Sequence, residues 1–224
     1  MGRSARRRRN RRPQLALLVL KFLGLGVVLA ALVVSGVKPY DRATWWLEVA
    51  PVLIALPILV ATHQRYPLTG LLYFLVAVHA LVLIYGGAYT YARVPLGFWL
   101  QDALGFERNP YDRIGHFMQG FVPAMIAREI LVRGGFVNGR RMLAFVCVCI
   151  ALAVSAFYEL IEWWAALLFG QGAHEFLGTQ GDPWDAQGDM LMALIGAIAG
   201  LATLSRLHDR QMAQRQAAGR SGSG

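Results

Sequence analysis

The chain has 224 residues, of which 56% are hydrophobic and only 16% are charged. About a quarter of the residues in a typical soluble domain are charged, so this composition argues against a soluble globular protein. The formal net charge of +9 suggests a nucleic-acid partner, but 7 of the 22 basic residues lie within the first twelve positions. Such a terminal cluster is typical of a topology signal or of contact with anionic lipid headgroups, and we expect no nucleic-acid partner.

Long apolar runs predict an all-α, polytopic membrane bundle with six transmembrane helices, because a span of about 20 apolar residues crosses a hydrocarbon core. A basic, disordered tail is expected at 1–13, a membrane domain at 14–205 and a tail without structure at 206–224. The predicted spans are residues 15–37, 46–62, 68–85, 112–132, 142–169 and 182–204. A short interfacial helix is predicted at 96–104, and Trp45 and Trp46 are expected in an interfacial aromatic belt.

The charges of the loops predict how these spans are oriented. Basic residues collect at the N-terminus, in the turn 133–141 and in the C-terminal tail, whereas the loop 170–181 has none. Cytoplasmic loops carry the excess of lysine and arginine. Both termini are therefore predicted to lie in the cytoplasm, and the loop 170–181 on the outer side.

Ionisable residues recur near the outer ends of three predicted spans. Each span has two of them, three or four positions apart and hence on one helix face: Asp112 with His116, Glu159 with Glu162, and Asp185 with Asp189. At about 1.5 Å of rise per residue, all six lie within roughly 15 Å of the outer ends of their helices. Ionisable groups inside a membrane face the bundle interior and mark a functional site by default. We therefore predict that these six residues form one outward-facing catalytic or binding site.

Simpler explanations account for part of this layer. Asp182 precedes Pro183 as a helix N-cap would, and capping is also an alternative role for Asp185. Capping does not explain Asp189 or the two glutamates. For these three residues the alternative to a functional role is pairing with Arg113. One cation cannot neutralise so many acids, so several of them are expected to share protons or to hold a metal.

The hypothetical metal ligands share oxygen donors around one imidazole: Asp112, His116, Glu159, Glu162 and Asp189. Such a set suits a divalent cation such as Mg²⁺, Mn²⁺ or Ca²⁺ better than Zn²⁺ or iron. The bound ion would activate water against an ester or phosphoester. Alternatively, His116 is a hydrogen-bonded core histidine. The chain lacks the Gly-x-Ser-x-Gly, His-Glu-x-x-His and P-loop motifs, which excludes the commonest hydrolases and nucleotide-binding proteins.

Polar and small residues outside this layer receive structural interpretations. His79 is expected to make a hydrogen bond between helices. Arg128 and Glu129 are expected to extend toward the cytoplasm. Gly196 and Gly200, four residues apart, predict close packing against a neighbouring helix.

Three motifs carry a family resemblance. YDRIGHFMQGF at 111–121, YELIEWW at 158–164 and GTQGDPWDAQGDM at 178–190 resemble the YjdF-type bacterial inner-membrane proteins, a family of unknown function. The resemblance covers roughly residues 39–200 and implies a multi-pass protein of the inner membrane. More distantly, Asp112, His116 and Glu159 match polar positions of the VanZ-like proteins linked to glycopeptide resistance. Glu162 and Asp189 replace amides of that pattern, so the layer is more acidic here.

Three classes of function remain open at this stage. The first is a metal-assisted hydrolase or transferase that acts on envelope lipid, and the carboxylates around His116 favour it slightly. The second is a proton- or cation-coupled transporter, which requires the polar path to continue to the cytoplasm. The third is a non-catalytic membrane partner whose polar layer only fixes helix packing. Apart from the lipid bilayer, and anionic headgroups at the basic N-terminus, no partner is predicted, and the oligomeric state is left open.

Overall fold

The structure, a computed structural model, describes residues 21–169 and 179–222. Over these residues the chain forms helices and turns but no strand, so the predicted all-α class is confirmed. The elements are α1 Lys21–Val37, α2 Arg42–Thr62, α3 Gly70–Tyr89, a 3-10 turn Tyr91–Arg93, α4 Pro95–Leu104, α5 Tyr111–Gly134, α6 Arg140–Phe169 and α7 Asp185–Gly222. The predicted tail at 1–13, the start of the first span and most of the loop 170–181 lie outside the described residues.

Four helices in the described part of the chain, α2, α3, α6 and α7, are long and apolar enough to cross a membrane. The described part of α1 is apolar but shorter. α5 has 24 residues, which is enough length, but it carries charged residues near both ends. Six spans are therefore not established, and those formed by α1 and α5 stay predictions. The helix predicted at 96–104 is confirmed as α4.

α5 lies in the middle of the bundle, in contact with α3, α6 and α7. Val122 and Met125 of α5 pack against Leu72 and Leu75 of α3, while its alanines meet α6 and α7. Ten residues of α5 are buried. Because protein rather than lipid surrounds this helix, it can carry buried ionisable side chains.

α5 and α7 approach until their backbones touch. A Cβ atom added to Gly120 would lie 1.8 Å from the carbonyl oxygen of Ala193, and one added to Gly196 would lie 2.0 Å from that of Phe117. The predicted close packing is therefore confirmed at Gly196. At Gly200 the nearest atoms would be 3.3 Å away, which is a looser contact. These two helices hold the polar residues at their ends in fixed register.

α1 and α2 form a hairpin on the side of the bundle. The Trp45 ring is buried, and its Nε1 donates a hydrogen bond to Ser35 Oγ at 3.0 Å. The expectation that both tryptophans lie in an interfacial belt is therefore wrong for Trp45, whose ring packs against Gly36 instead. Trp46 is exposed, as a belt residue would be.

The disordered tail predicted from position 206 is wrong over the described residues, because α7 continues to Gly222. His208 and Met212 are buried. The backbone N–H of Leu71 donates to Gln211 Oε1 at 2.9 Å. The polar composition of this segment suggested a solvated tail, but its buried residues dock it on the ends of α3 and α5.

Candidate functional site

The polar residues at the start of α5 meet side chains from three other helices and from two connecting segments. We call this group the acidic cluster; it comprises Glu48 of α2, Asp112, Arg113 and His116 of α5, Glu159 and Glu162 of α6, Asp185 and Asp189 of α7, and Arg108 and Asp182 from the segments before α5 and α7. All six site residues predicted from the sequence belong to it. Their contact is a finding of the structure, whereas their role stays a prediction.

His116 lies among three carboxylates. Its Nε2 is 3.5 Å from Asp112 Oδ1 and 3.9 Å from Asp189 Oδ2. Its Nδ1 is 3.7 Å from Glu159 Oε1 and 3.1 Å from Gln119 Oε1. The imidazole is buried, with 6% of the side chain exposed. Of these four partners only Gln119 is within normal hydrogen-bond distance. The three carboxylates surround the ring at longer distances.

Two arginines hold the α7 side of the cluster. Arg113 contacts Asp189 Oδ1 at 2.8 Å and Asp182 Oδ2 at 3.3 Å, and Arg108 contacts Asp185 Oδ1 at 2.7 Å. Asp189 is buried, with 1% of its side chain exposed, whereas 31% of Asp182 is exposed. The predicted pairing with Arg113 therefore forms for the aspartates of α7 but does not extend to the glutamates of α6.

Charge in the cluster is unbalanced. Seven carboxyl groups share two guanidinium groups and one imidazole. Like charges at such distances oppose each other's ionisation, and burial disfavours every unpaired charge. Protons shared among the carboxyls, or a bound cation, must compensate the excess. This imbalance is the chemical property that distinguishes the cluster from an ordinary set of ion pairs.

A cavity of about 20 Å³ adjoins His116. Its lining comes from α2, α3, the 3-10 turn, α5 and α6: Glu48, Leu83, Tyr91, Asp112, Gly115, His116, Gln119, Tyr158 and Glu162. A space of about 10–15 Å³ accepts one water molecule. The cavity is therefore large enough for a single water or a small cation and too small for an organic substrate.

Tyr91 reaches this cavity because two glycines make room for its ring. A Cβ atom added to Gly86 or Gly115 would lie 2.4 Å or 2.6 Å from the ring. The preceding Thr90 has a left-handed φ of 57°, a conformation that costs free energy for a β-branched residue. Burial, and then the nearby carboxyl of Glu48, raise the pKa of the Tyr91 phenol. The phenol stays protonated and can donate a hydrogen bond.

Glu159 has a carboxylate oxygen in the cluster that makes no hydrogen bond within the described part of the chain, although it lies 3.7 Å from His116 Nδ1. Its Oε1 is buried and has no hydrogen-bond partner among the described residues. Leaving a carboxylate oxygen in this state costs free energy, which a metal ion or a proton would offset. Two sets of three ligand atoms lie within 4.8 Å of one another, namely Asp112 with His116 and Asp189, and His116 with Glu159 and Glu162. These residues fit the donor set expected for a hard divalent cation.

Four polar side chains of the site or its cavity were not predicted from the sequence: Glu48, Tyr91, Arg108 and Tyr158. Glu48 is 4% exposed, and Tyr158 Oη donates to its Oε2 at 3.5 Å. Glu48 is an acid inside the predicted span 46–62, and this position was a usable signal. Arg108 and Tyr91 lie in connections between helices. Helical periodicity does not predict which way the side chains of such segments point.

The predicted N-cap position of Asp182 is wrong, because an N-cap there requires the helix to begin at Pro183, two residues before the observed start of α7. Asp182 Oδ1 accepts a hydrogen bond from the backbone N–H of Trp184 at 2.9 Å. The helix begins at Asp185. Asp182 combines this local turn with its ion pairs to Arg108 and Arg113.

A second polar cluster, formed by Thr69, Glu129, Arg133 and His208, lies near the other end of α5. Glu129 is fully buried and accepts from Thr69 Oγ1 at 2.7 Å and Arg133 Nη1 at 2.7 Å, and its Oε2 is 2.8 Å from His208 Nε2. The expectation that Glu129 extends to the cytoplasm is therefore wrong, because partners from α3 and α7 enclose it. Arg128 is also buried and forms an ion pair with the exposed Asp209 at 2.6 Å, so its extension toward the cytoplasm stays a prediction.

His79 lies outside both clusters. Its Nε2 is buried without a hydrogen-bond partner among the described residues. The predicted hydrogen bond between helices is therefore absent at this nitrogen.

Fold and site together define an all-helical membrane protein with a buried, unbalanced acidic cluster at one end of its bundle. The chain belongs to the family of predicted membrane proteins described as DUF2238, whose model matches residues 20–210. It is 59% identical over 181 residues to the inner membrane protein YjdF of Escherichia coli, which covers 81% of this chain and 87% of that protein. No solved structure matches the chain. The resemblance to YjdF-type proteins is thus confirmed, while the VanZ-like resemblance stays a prediction.

Proposed function

We propose that the acidic cluster binds a divalent cation and that the protein is a metal-assisted hydrolase or transferase acting on an envelope lipid. The observation that carries this proposal is the buried Oε1 of Glu159, which has no hydrogen-bond partner among the described residues and lies 3.7 Å from His116 Nδ1, close to a cavity of single-water size. The proposed ligands are those of the two closely spaced sets: Asp112, His116, Glu159, Glu162 and Asp189.

The chemistry follows from the donor types. Oxygen ligands around one imidazole favour Mg²⁺, Mn²⁺ or Ca²⁺. A cation bound there would polarise a phosphoryl or carbonyl oxygen and supply activated water at neutral pH. The water-sized cavity, lined by Tyr91, Tyr158 and Glu48, provides hydrogen-bonding groups for such a water. Arg108 and Arg113, each about one fifth exposed, lie where an anionic phosphate would approach the cluster.

Transport is the weaker alternative because the polar path does not continue through the described residues. Between Gln119 and Glu129, α5 rises by about 15 Å, and Val122 and Met125 in this stretch are buried in apolar contacts. The backbone contact of Gly120 with Ala193 closes the α5–α7 interface at the same level. A transport mechanism would have to part these two helices.

The proposed substrate also depends on location and topology. We place the protein in the inner membrane, as the name of its relative in Escherichia coli indicates, with six spans and both termini in the cytoplasm. The acidic cluster then faces the outer side, where envelope lipids are accessible. The basic residues 1–13 would contact anionic headgroups of the inner leaflet.

Elemental analysis of the purified protein tests the metal. We expect a near-stoichiometric divalent metal in the wild type, and its loss in Glu159→Gln and in His116→Ala. Asp102→Asn is the matched control, because Asp102 is an exposed acid of α4 outside the cluster. A wild-type protein that stays metal-free after incubation with Mg²⁺, Mn²⁺ and Ca²⁺ would contradict the proposal.

The reaction is tested by incubating the protein with an envelope-lipid extract and identifying new products by mass spectrometry. We expect products that disappear with a chelator and in Glu159→Gln but persist in Asp102→Asn. Substrate movement in sealed vesicles without any chemical change in the lipids would instead favour the transporter.

A further inference from the structure

A second candidate site, separate from the acidic cluster, lies in a groove of about 610 Å³ between α1, α2 and α3. This volume is within the range of about 300–1,000 Å³ that is usual for small-molecule sites. The walls are almost entirely aliphatic and aromatic, with Val28, Val52 and Ala77 contributed by the three helices in turn. None of the acidic cluster's residues lines it.

One end of the groove is polar and basic. Lys21, His63 and Gln64 line it there. Tyr73 fixes this end, because its hydroxyl is 2.7 Å from His63 Nδ1, and Lys21 Nζ stands 4.1 Å from the centre of its ring. Burial, and then the charges of Lys21 and Arg215, lower the pKa of His63, so Lys21 is the lining cation at neutral pH.

The groove has the length of one bilayer leaflet. Along α3 its lining runs from Gly70 to Leu81, a rise of about 16 Å. Half of a hydrocarbon core of about 30 Å is about 15 Å. An apolar channel of one-leaflet length with a cation at the headgroup end matches an anionic phospholipid in both shape and charge.

We infer that the groove between α1, α2 and α3 is a specific site for an anionic phospholipid of the surrounding bilayer. One acyl chain lies along the groove, and the headgroup phosphate contacts Lys21 with Gln64 beside it. The site is independent of the proposed catalytic function, since it shares no residue with the acidic cluster.

Native mass spectrometry of the full chain, released from mild detergent and titrated with phosphatidylglycerol or phosphatidylcholine, tests this site. We expect the wild type to retain phosphatidylglycerol at least several-fold more than phosphatidylcholine. Ala77→Phe fills the groove and should abolish retention of both lipids. Lys21→Gln should remove the preference for phosphatidylglycerol while leaving acyl-chain binding. Ile54→Phe is the matched control, because Ile54 is exposed on α2 and does not line the groove.

Three results would overturn the inference. Equal retention by Ala77→Phe and Ile54→Phe would show that the lipid binds elsewhere. Increased retention on deletion of residues 2–13 would identify that segment as the occupant. A dimer mass that Ala77→Phe shifts to monomer would identify a second copy. Thermal unfolding in detergent is the folding readout for every variant.

Discussion

Arg113 is the residue on which the α7 half of the acidic cluster depends. It contacts Asp182, Asp185 and Asp189 with one guanidinium, whereas Arg108 contacts only the first two of these aspartates. Gly188 allows this approach, since a Cβ atom there would lie 2.1 Å from Arg113 Nη1. A single side chain thus joins the start of α5 to the start of α7.

Replacing Arg113 by Gln should lower the stability of the protein. Removing one partner of a buried ion pair costs about 3–5 kcal/mol, and the partial exposure of Arg113 sets the expected loss at the lower end. The midpoint of thermal unfolding in detergent measures it. Arg141→Gln, at an exposed arginine, should change the free energy of unfolding by no more than about 0.5 kcal/mol.

A double variant tests whether the loss comes from the uncompensated acid. Adding Asp189→Asn to Arg113→Gln should restore part of the stability, because it removes the buried charge left without a partner. If the loss of stability in the double variant equals the sum of the losses in the two single variants, the contact between Arg113 and Asp189 does not hold the helices together as described.

At the scale of elements, α7 is one continuous helix that serves both ends of the bundle. Its first two turns carry Asp185 and Asp189 of the acidic cluster, and its seventh and eighth turns carry His208 and Gln211, which contact Glu129 and Leu71. The part beyond the predicted span is therefore structural rather than a dispensable tail.

Truncation of the chain tests this role of α7. A protein that ends after residue 205 loses His208, leaves Glu129 with one buried partner fewer, and should unfold at a lower temperature or fail to accumulate. A protein that ends after residue 217 keeps all the described contacts of this segment and should behave as the wild type. Equal unfolding midpoints for both truncations, measured by fluorescence-detected size exclusion after heating, would show that the docking does not matter.

The whole molecule is electrically asymmetric. The acidic cluster occupies one end of the bundle, while Lys21, Arg133 and Arg215 lie toward the other, near the start of α3. Asp112 and Glu129, which mark the two polar levels on α5, are about 25 Å apart along the helix. In a membrane this asymmetry predicts the acidic end outside and the basic end in the cytoplasm.

Cysteine labelling tests this orientation. In a background with Cys147 replaced by Ser and Cys149 by Ala, we expect Asp102→Cys to react with a membrane-impermeant maleimide in intact spheroplasts. Asn138→Cys should react only after lysis, because the turn before α6 is predicted to be cytoplasmic. The opposite pattern would place the acidic cluster on the cytoplasmic side. It would exclude a substrate in the outer leaflet without affecting the metal-binding prediction.

Helix positions and helix faces were predictable because both are local properties. The apolar runs located α2, α3, α5 and α6 to within a few residues at most boundaries. The three- and four-residue spacings correctly paired Asp112 with His116 and Glu159 with Glu162, since such neighbours share a face whatever the helix packs against.

Only the tertiary structure decided which elements meet. Glu48 joins the cavity because α2 packs against α3 beside the 3-10 turn, and Tyr91 joins it because Gly86 and Gly115 leave space for its ring. Glu129 is buried because His208, in the C-terminal half of α7, packs against it. The sequence by itself determined the chemistry at each helix face, through hydrophobic periodicity and charge. The partners of those faces follow from contacts between residues far apart in the chain, which local periodicity does not encode.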